Sequence, residues 1–171
     1  MKLTVKQLTL CAVLTALALA LSYMESLFPL PLLIPLPGIK LGLANIVTVF
    51  ALCTLGAGQA FLILIARCCL GSLFAGNLNT LLFSLMGGLL ALALEALLLR
   101  INALSLFGVS IGGASAHNCG QVLAAIISLG TPAPLAYLPV LLIAALFTGA
   151  LTGLIIALLL RASWHLPLFR S

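Results

Sequence analysis

The sequence predicts an all-α integral membrane protein: six transmembrane helices packed as one domain over residues 1–171. Three observations carry that prediction. The chain is 64% apolar and 5% charged, where a soluble domain carries roughly a quarter charged residues. Glu25 and Glu95 are the only acidic side chains among 171 residues, and aspartate is absent. Apolar stretches near the roughly 20 residues needed to cross a bilayer recur along almost the whole length. Six such helices occupy about 120 positions, which leaves short connections and no polar stretch long enough for a soluble domain.

The first span is expected at about 8–28. Lys2 and Lys6 precede it and Ala18-Leu19-Ala20 resembles a signal-peptidase site. The apolar run continues to Phe28, however, longer than the apolar region of a cleaved leader, so a retained helix is expected. The segment 29–38 holds Pro29, Pro31, Pro35 and Pro37, which fix φ and remove backbone donors. It reads as a stiff, apolar loop, either a lid over a cavity or a connector lying on lipid. The second span is expected at about 39–55 and the third, after the Gly56-Ala57-Gly58 turn, at 58–74. Gly76-Asn77-Leu78-Asn79 is strong turn chemistry. The fourth span then covers about 80–99 and stops at Arg100. The fifth covers about 109–129 and is broken by Gly130-Thr131-Pro132-Ala133-Pro134. The sixth covers about 137–160, followed by an interfacial tail with Arg161, Trp164, His165 and Arg170.

Six crossings put both termini on one side. With the termini cytoplasmic, Lys2, Lys6, Arg100, Arg161 and Arg170 lie inside and Lys40 alone outside, with Arg67 in mid-span; this satisfies the positive-inside rule. The net charge of +5 is too scattered to form a nucleic-acid patch. The expected location is a bacterial cytoplasmic membrane. Cys11, Cys53, Cys68, Cys69 and Cys119 form no CxxC pair and read as small buried hydrophobes.

Small residues recur every fourth position in three spans: Ala12, Ala16 and Ala20; Gly112, Ala116, Gly120 and Ala124; Ala145, Gly149, Gly153 and Ala157. That spacing keeps them on one helical face, where backbones approach closely. Packing inside the bundle is the preferred reading for the fifth and sixth spans. The alanines of the first span face either the bundle or a partner protein.

Polar side chains inside a bilayer are costly, and each asks for a reason. His117 and Gln121 are four apart on one face of the fifth span, with Asn118 beside them. They fit either the lining of a small-molecule pocket or an interhelical hydrogen-bond network. Arg67 lies near mid-depth, where it pairs with Glu95 or binds an anion. Glu25 and Lys40 flank the proline loop, at a cavity mouth or as exposed interfacial charges. Asn45 is a further candidate, whereas Asn77 and Asn79 read as turn formers. There is no GxSxG, phosphate loop, metal-ligand cluster or acid near His117 in sequence. Two carboxylates cannot build a multi-aspartate magnesium site or a nucleotide-hydrolysing centre. The chain is therefore expected to bind or move a small molecule, with no cofactor or metal and no catalysis of its own.

Ala12-Val13-Leu14-Thr15-Ala16, Ile39-Lys40-Leu41-Gly42-Leu43-Ala44-Asn45-Ile46, the Gly87-Gly88 pair and the stretch Gly112 to Gln121 resemble the Gx transporter family. That family is also labelled heptaprenyl diphosphate synthase component I. The resemblance covers nearly the whole chain, and Lys-Leu-Gly-Leu-Ala-Asn and His-Asn-x-Gly-Gln are its most specific parts. The family is in turn similar to the substrate-binding S components of energy-coupling factor (ECF) transporters. This implies an S-component-like bundle with a substrate site opening outward, covered by the loop between the first two helices. It also implies docking through an Ala-x-x-x-Ala motif, matched by Ala12, Ala16 and Ala20, to a transmembrane coupling subunit with two ATPases. The expected function is uptake of a vitamin-like or cofactor-precursor molecule. The substrate-binding set read from the residues is His117, Asn118, Gln121, Arg67, Asn45, Lys40 and Glu25. The alternatives are a non-catalytic membrane subunit assisting polyprenyl diphosphate synthesis, or handling an isoprenoid ligand, and a facilitator that needs no ATPase. Prenyl diphosphate synthases hold magnesium diphosphate with clustered aspartates, which this chain does not have.

Overall fold

A computed structural model describes residues 4–27, 42–101 and 103–163. Helix α1 (Val5–Ser26) starts with a capping box: the Gln7 amide N–H donates to Thr4 Oγ1 at 3.3 Å, and the Thr4 N–H donates to Gln7 Oε1 at 3.1 Å. Two otherwise orphaned donors are satisfied there at once. The proline segment 29–38 and Lys40 lie outside the described residues, as do Trp164, His165 and Arg170.

Helix α2 runs Asn45–Thr54, 10 residues. At 1.5 Å per residue it is about 15 Å long, half of what a crossing needs. The expectation of helix from residue 39 is corrected over Gly42–Ala44, which form a turn. The reason is local. Gly42 sits at φ +88°, and the main-chain N–H groups of Gly42 and Leu43 are held by the Glu25 carboxylate, so they cannot extend the helix.

The remaining breaks fall where glycine and asparagine allow them. Gly56 at φ +96° precedes α3 (Ala57–Ala75), and Gly76 in the left-handed region ends it. Asn77 caps α4 (Leu78–Leu98) by accepting from the Asn79 N–H at 2.8 Å. Ser105 caps α5 (Leu106–Leu129), and Gly130 closes that helix. A short 3₁₀ turn, Ala133–Tyr137, leads into α6 (Leu138–Ser163). Among the described residues there are six α-helices and no strand.

Four stretches are long and apolar enough to cross a membrane: Val5–Ser26, Ala57–Ala75, Leu78–Leu98 and Ala133–Ser163. Val13, Leu17, Phe61, Phe147 and Leu158 project outward from them, an apolar exterior that supports transmembrane character. Helix α5 carries the polar residues and is the inner one, packed most extensively against α4 and α6.

Missing side chains set those two contacts. A Cβ on Gly149 would stand 2.6 Å from Ile111 Cα, and one on Gly153 2.9 Å from Phe107 Cα, so α6 lies backbone to backbone on α5. A Cβ on Gly120 would stand 2.7 Å from Gly87 Cα on α4. The glycines of the fifth and sixth spans are thus used in packing, as expected. Ala12, Ala16 and Ala20 of α1 are all exposed, while Cys11, Leu14, Thr15, Ala18 and Glu25 form its buried face. The cysteine expectation holds for Cys11 and Cys68 and needs correction for Cys69, which is exposed.

Candidate functional site

Inside this apolar bundle Asn45, Thr48, Arg67, Ser84, Glu95, Ser110, His117, Asn118, Gln121 and Thr152 are all buried. Desolvating them is costly without partners, and the structure resolves them into three groups.

The first group is built around His117. Its imidazole lies between two glycines: a Cβ on Gly87 would be 2.8 Å from Cε1 and 2.9 Å from Nδ1, and one on Gly42 would be 3.4 Å from Cδ2. Any other residue at position 87 would intrude on the ring. Beside the ring is a cavity of about 10 Å³ lined by Gly42, Asn45, Ser110, Ala114, His117 and Thr152. That is about the size that admits one water-sized group. Asn45 Oδ1 and Ser110 Oγ, both buried and both on lining residues, have no hydrogen-bond partner. An unsatisfied buried polar atom costs about 1–3 kcal/mol, so this lining is chemically ready for a small polar group.

The second group stands behind the cavity wall. Asn45 Nδ2 donates to Glu95 Oε1 at 2.8 Å, from the first turn of α2 to the last turns of α4. This bond orients the Asn45 amide. The Glu95 carboxylate occupies the space that a Cβ on Gly113 would need. Of the two readings of Arg67, the Glu95 pair is not formed: Glu95 Oε2, Arg67 Nε and Arg67 Nη2 are without hydrogen-bond partners. Arg67 Nη2 lies 3.3 Å from where a Gly88 Cβ would be. Asn45 has taken the contact that the sequence suggested for the arginine. Neither Arg67 nor Glu95 lines the cavity.

The third group holds elements together. Asn118 Nδ2 donates to the Leu141 carbonyl at 2.7 Å, tying α5 to α6. Gln121, fully buried, sits one turn beyond His117. Neither lines the cavity, and the Asn118 bond to Leu141 is of the kind the network reading describes. Of the two readings of Glu25, the exposed interfacial charge is ruled out. Glu25 is 2% exposed, and its two oxygens accept from the Gly42 N–H at 2.6 Å and the Leu43 N–H at 3.2 Å.

The profile of a family described as heptaprenyl diphosphate synthase component I matches residues 14–159. The chain belongs to that family. Nothing matches among curated proteins or among solved structures. The matched range contains every residue of the His117 cavity, together with Glu25, Arg67 and Glu95.

Sequence reasoning about this component I family member missed Ser110, Ala114 and Thr152. Ser110 lies seven residues before His117, two helical turns away on nearly the same face, and that spacing was the available signal. Thr152 had none, because only the α5–α6 packing brings it in. A second, larger groove of about 230 Å³ was also missed. It lies between α1, α3 and α4 and is lined by Leu19, Ser22, Tyr23, Ser26, Phe74 and Thr80 among others. The four-residue spacing of Ser22 with Ser26 and of Gly71 with Ala75 was its sequence trace.

Proposed function

We propose that the chain is the membrane-embedded substrate-binding component of an ECF-type uptake transporter. Its cargo is a small vitamin-like or cofactor-precursor molecule. The observation that carries this reading is the His117 cavity: a convergent polar lining enclosed in a bundle whose exterior is apolar. Few polar groups placed in an otherwise apolar enclosure are what a small-molecule site requires. In this reading six helices form the domain and both termini are cytoplasmic; at about 10 Å³ the cavity admits only a water-sized group, so its walls must part to take the cargo. His117, Asn45, Ser110 and Thr152 contact the ligand, while Asn118, Gln121 and Arg67 support the walls from behind. The exposed Ala12-Ala16-Ala20 face of α1 is where the coupling subunit docks, and two ATPases bound to that subunit supply the energy. Mass spectrometry of the purified protein tests this by identifying a co-purified small molecule. Uptake into vesicles should then require the ATPase module. Uptake by this protein alone, with no ATPase present, would sink the reading.

A second reading is favoured by the family description and by the groove of about 230 Å³. Leu19, Tyr23 and Phe74 give that groove an apolar wall, and Ser22, Ser26 and Thr80 give it hydroxyls. An isoprenoid with a polar head suits such a lining, as a membrane subunit assisting polyprenyl diphosphate synthesis would need. Co-purification with a soluble prenyl synthase whose turnover depends on this chain would select it.

A further inference from the structure

We propose that Glu25 is a positioning residue: the clamp on α1 that holds one wall of the His117 cavity shut. The geometry has three parts. Glu25 is in the last turns of α1 and buried, and its oxygens each accept one main-chain N–H, from Gly42 at 2.6 Å and Leu43 at 3.2 Å. Gly42 is itself a wall of the cavity and lies against the His117 ring. Three residues further on, Asn45 forms the adjoining wall and binds Glu95. A single carboxylate thus spans 17 residues of sequence to fix the strip of backbone that borders the cavity.

The chemistry calls for a carboxylate. Two neighbouring N–H groups need two acceptor oxygens on one side chain, and main-chain N–H bonds to an ionised acceptor are the strong ones. Glutamine offers one acceptor and would turn an NH₂ toward an N–H. Aspartate keeps the charge and shortens the reach by one methylene. Gly42 at φ +88° adopts this turn without strain, as few other residues do.

The placement on α1 gives the clamp its consequence. At 100° per residue, Glu25 points roughly 140–180° away from Ala12, Ala16 and Ala20, which are exposed on the other side of the helix. A shift of α1 therefore moves the clamp and the cavity wall together. This inference rests on the His117 cavity being the ligand site, but the test needs neither ligand nor transport partner.

The test is hydrogen–deuterium exchange by mass spectrometry on the full chain in nanodiscs. It compares the wild type with Glu25→Gln and Glu25→Asp. In parallel, N-ethylmaleimide labels a Ser110→Cys variant in which the native cysteines are replaced by alanine. Loss of one hydrogen bond to a charged acceptor predicts that exchange at Gly42–Leu43 and labelling at position 110 rise about tenfold or more. Exchange across the α5–α6 contact at Ala145–Gly149 should stay as in the wild type. Unchanged exchange at Gly42–Leu43 in both variants overturns the proposal. An increase spread evenly over all helices in both variants overturns it too, because Glu25 would then hold the bundle and not one wall. Neither result bears on whether the chain carries a substrate, so the two readings fail separately.

Discussion

Replacing Gly87 by alanine puts the geometry around His117 to a quantitative test. The added Cβ would stand 2.8 Å from Cε1, 2.9 Å from Nδ1 and 3.1 Å from the His117 carbonyl oxygen. Ordinary contact begins near 3.4 Å, so the ring must retreat by about half an ångström. It has little room, because Gly42 borders its other edge and is held by Glu25. Overpacking of this kind costs about 1–3 kcal/mol. Removing a glycine from a helix interior returns up to about 1 kcal/mol. The net expectation is a loss of about 1 kcal/mol, or roughly 2–4 °C in melting temperature for a chain of this length. The decisive assay is a double-mutant cycle: thermal unfolding in one detergent of the wild type, Gly87→Ala, His117→Ala and the double variant. With the imidazole gone only the 3.1 Å contact to the residue-117 carbonyl remains, so alanine at 87 should cost less by about 1 kcal/mol, a coupling well above the roughly 0.3–0.5 kcal/mol scatter of independent sites. If Gly87→Ala shifts the melting temperature equally with and without His117, the slot described here is wrong.

Asn45→Ala removes the donor to Glu95 and should cost about 1.5–3 kcal/mol; Glu95→Gln in the same chain should recover part of it, and wild-type stability in the single variant would refute the dependence. Gly149→Ala drives a methyl against Ile111 backbone and should lose about 1–3 kcal/mol in thermal unfolding. Gly71→Ala meets only Leu19 Cδ2 at 3.6 Å and should gain about 0.5–1 kcal/mol; the same sign for both glycine variants would contradict the packing. Ala16→Trp lies on the exposed face of α1 and should leave stability within about 0.5 kcal/mol while, under the proposed function, abolishing pull-down of a coupling subunit. Retained pull-down would remove that face from docking.

The helices were legible because their signals are local. Runs of apolar residues, Gly76 and Gly130 at helix ends, and Asn77 at a helix start fix the boundaries within a few residues. The start of α2 was not legible: what holds the Gly42 and Leu43 N–H groups there is a carboxylate 17 residues before Gly42. The polar core was half legible. Composition marks His117, Asn118, Gln121, Arg67 and Asn45 as costly, but only tertiary packing assigns each its partner. Arg67 and Glu95 look like a pair on charge alone, yet Asn45 holds the carboxylate. Ser110 and Thr152 carry too little signal to stand out among ordinary helix hydroxyls.

The two carboxylates also bear on the family description. A synthase that condenses allylic diphosphates needs anionic oxygens free to hold divalent metal against pyrophosphate. Here Glu25 spends both oxygens on main-chain N–H groups, and Glu95 is fully buried against Gly113 with one oxygen on Asn45. With no aspartate in the chain, recruiting Glu25 for metal would release the Gly42 wall of the His117 cavity, and Glu95 is buried with its Oε1 held by Asn45. The cavity and a metal-dependent condensation therefore compete for Glu25. Under the proposed reading, any part in prenyl diphosphate synthesis is one of holding or presenting a molecule to a separate enzyme.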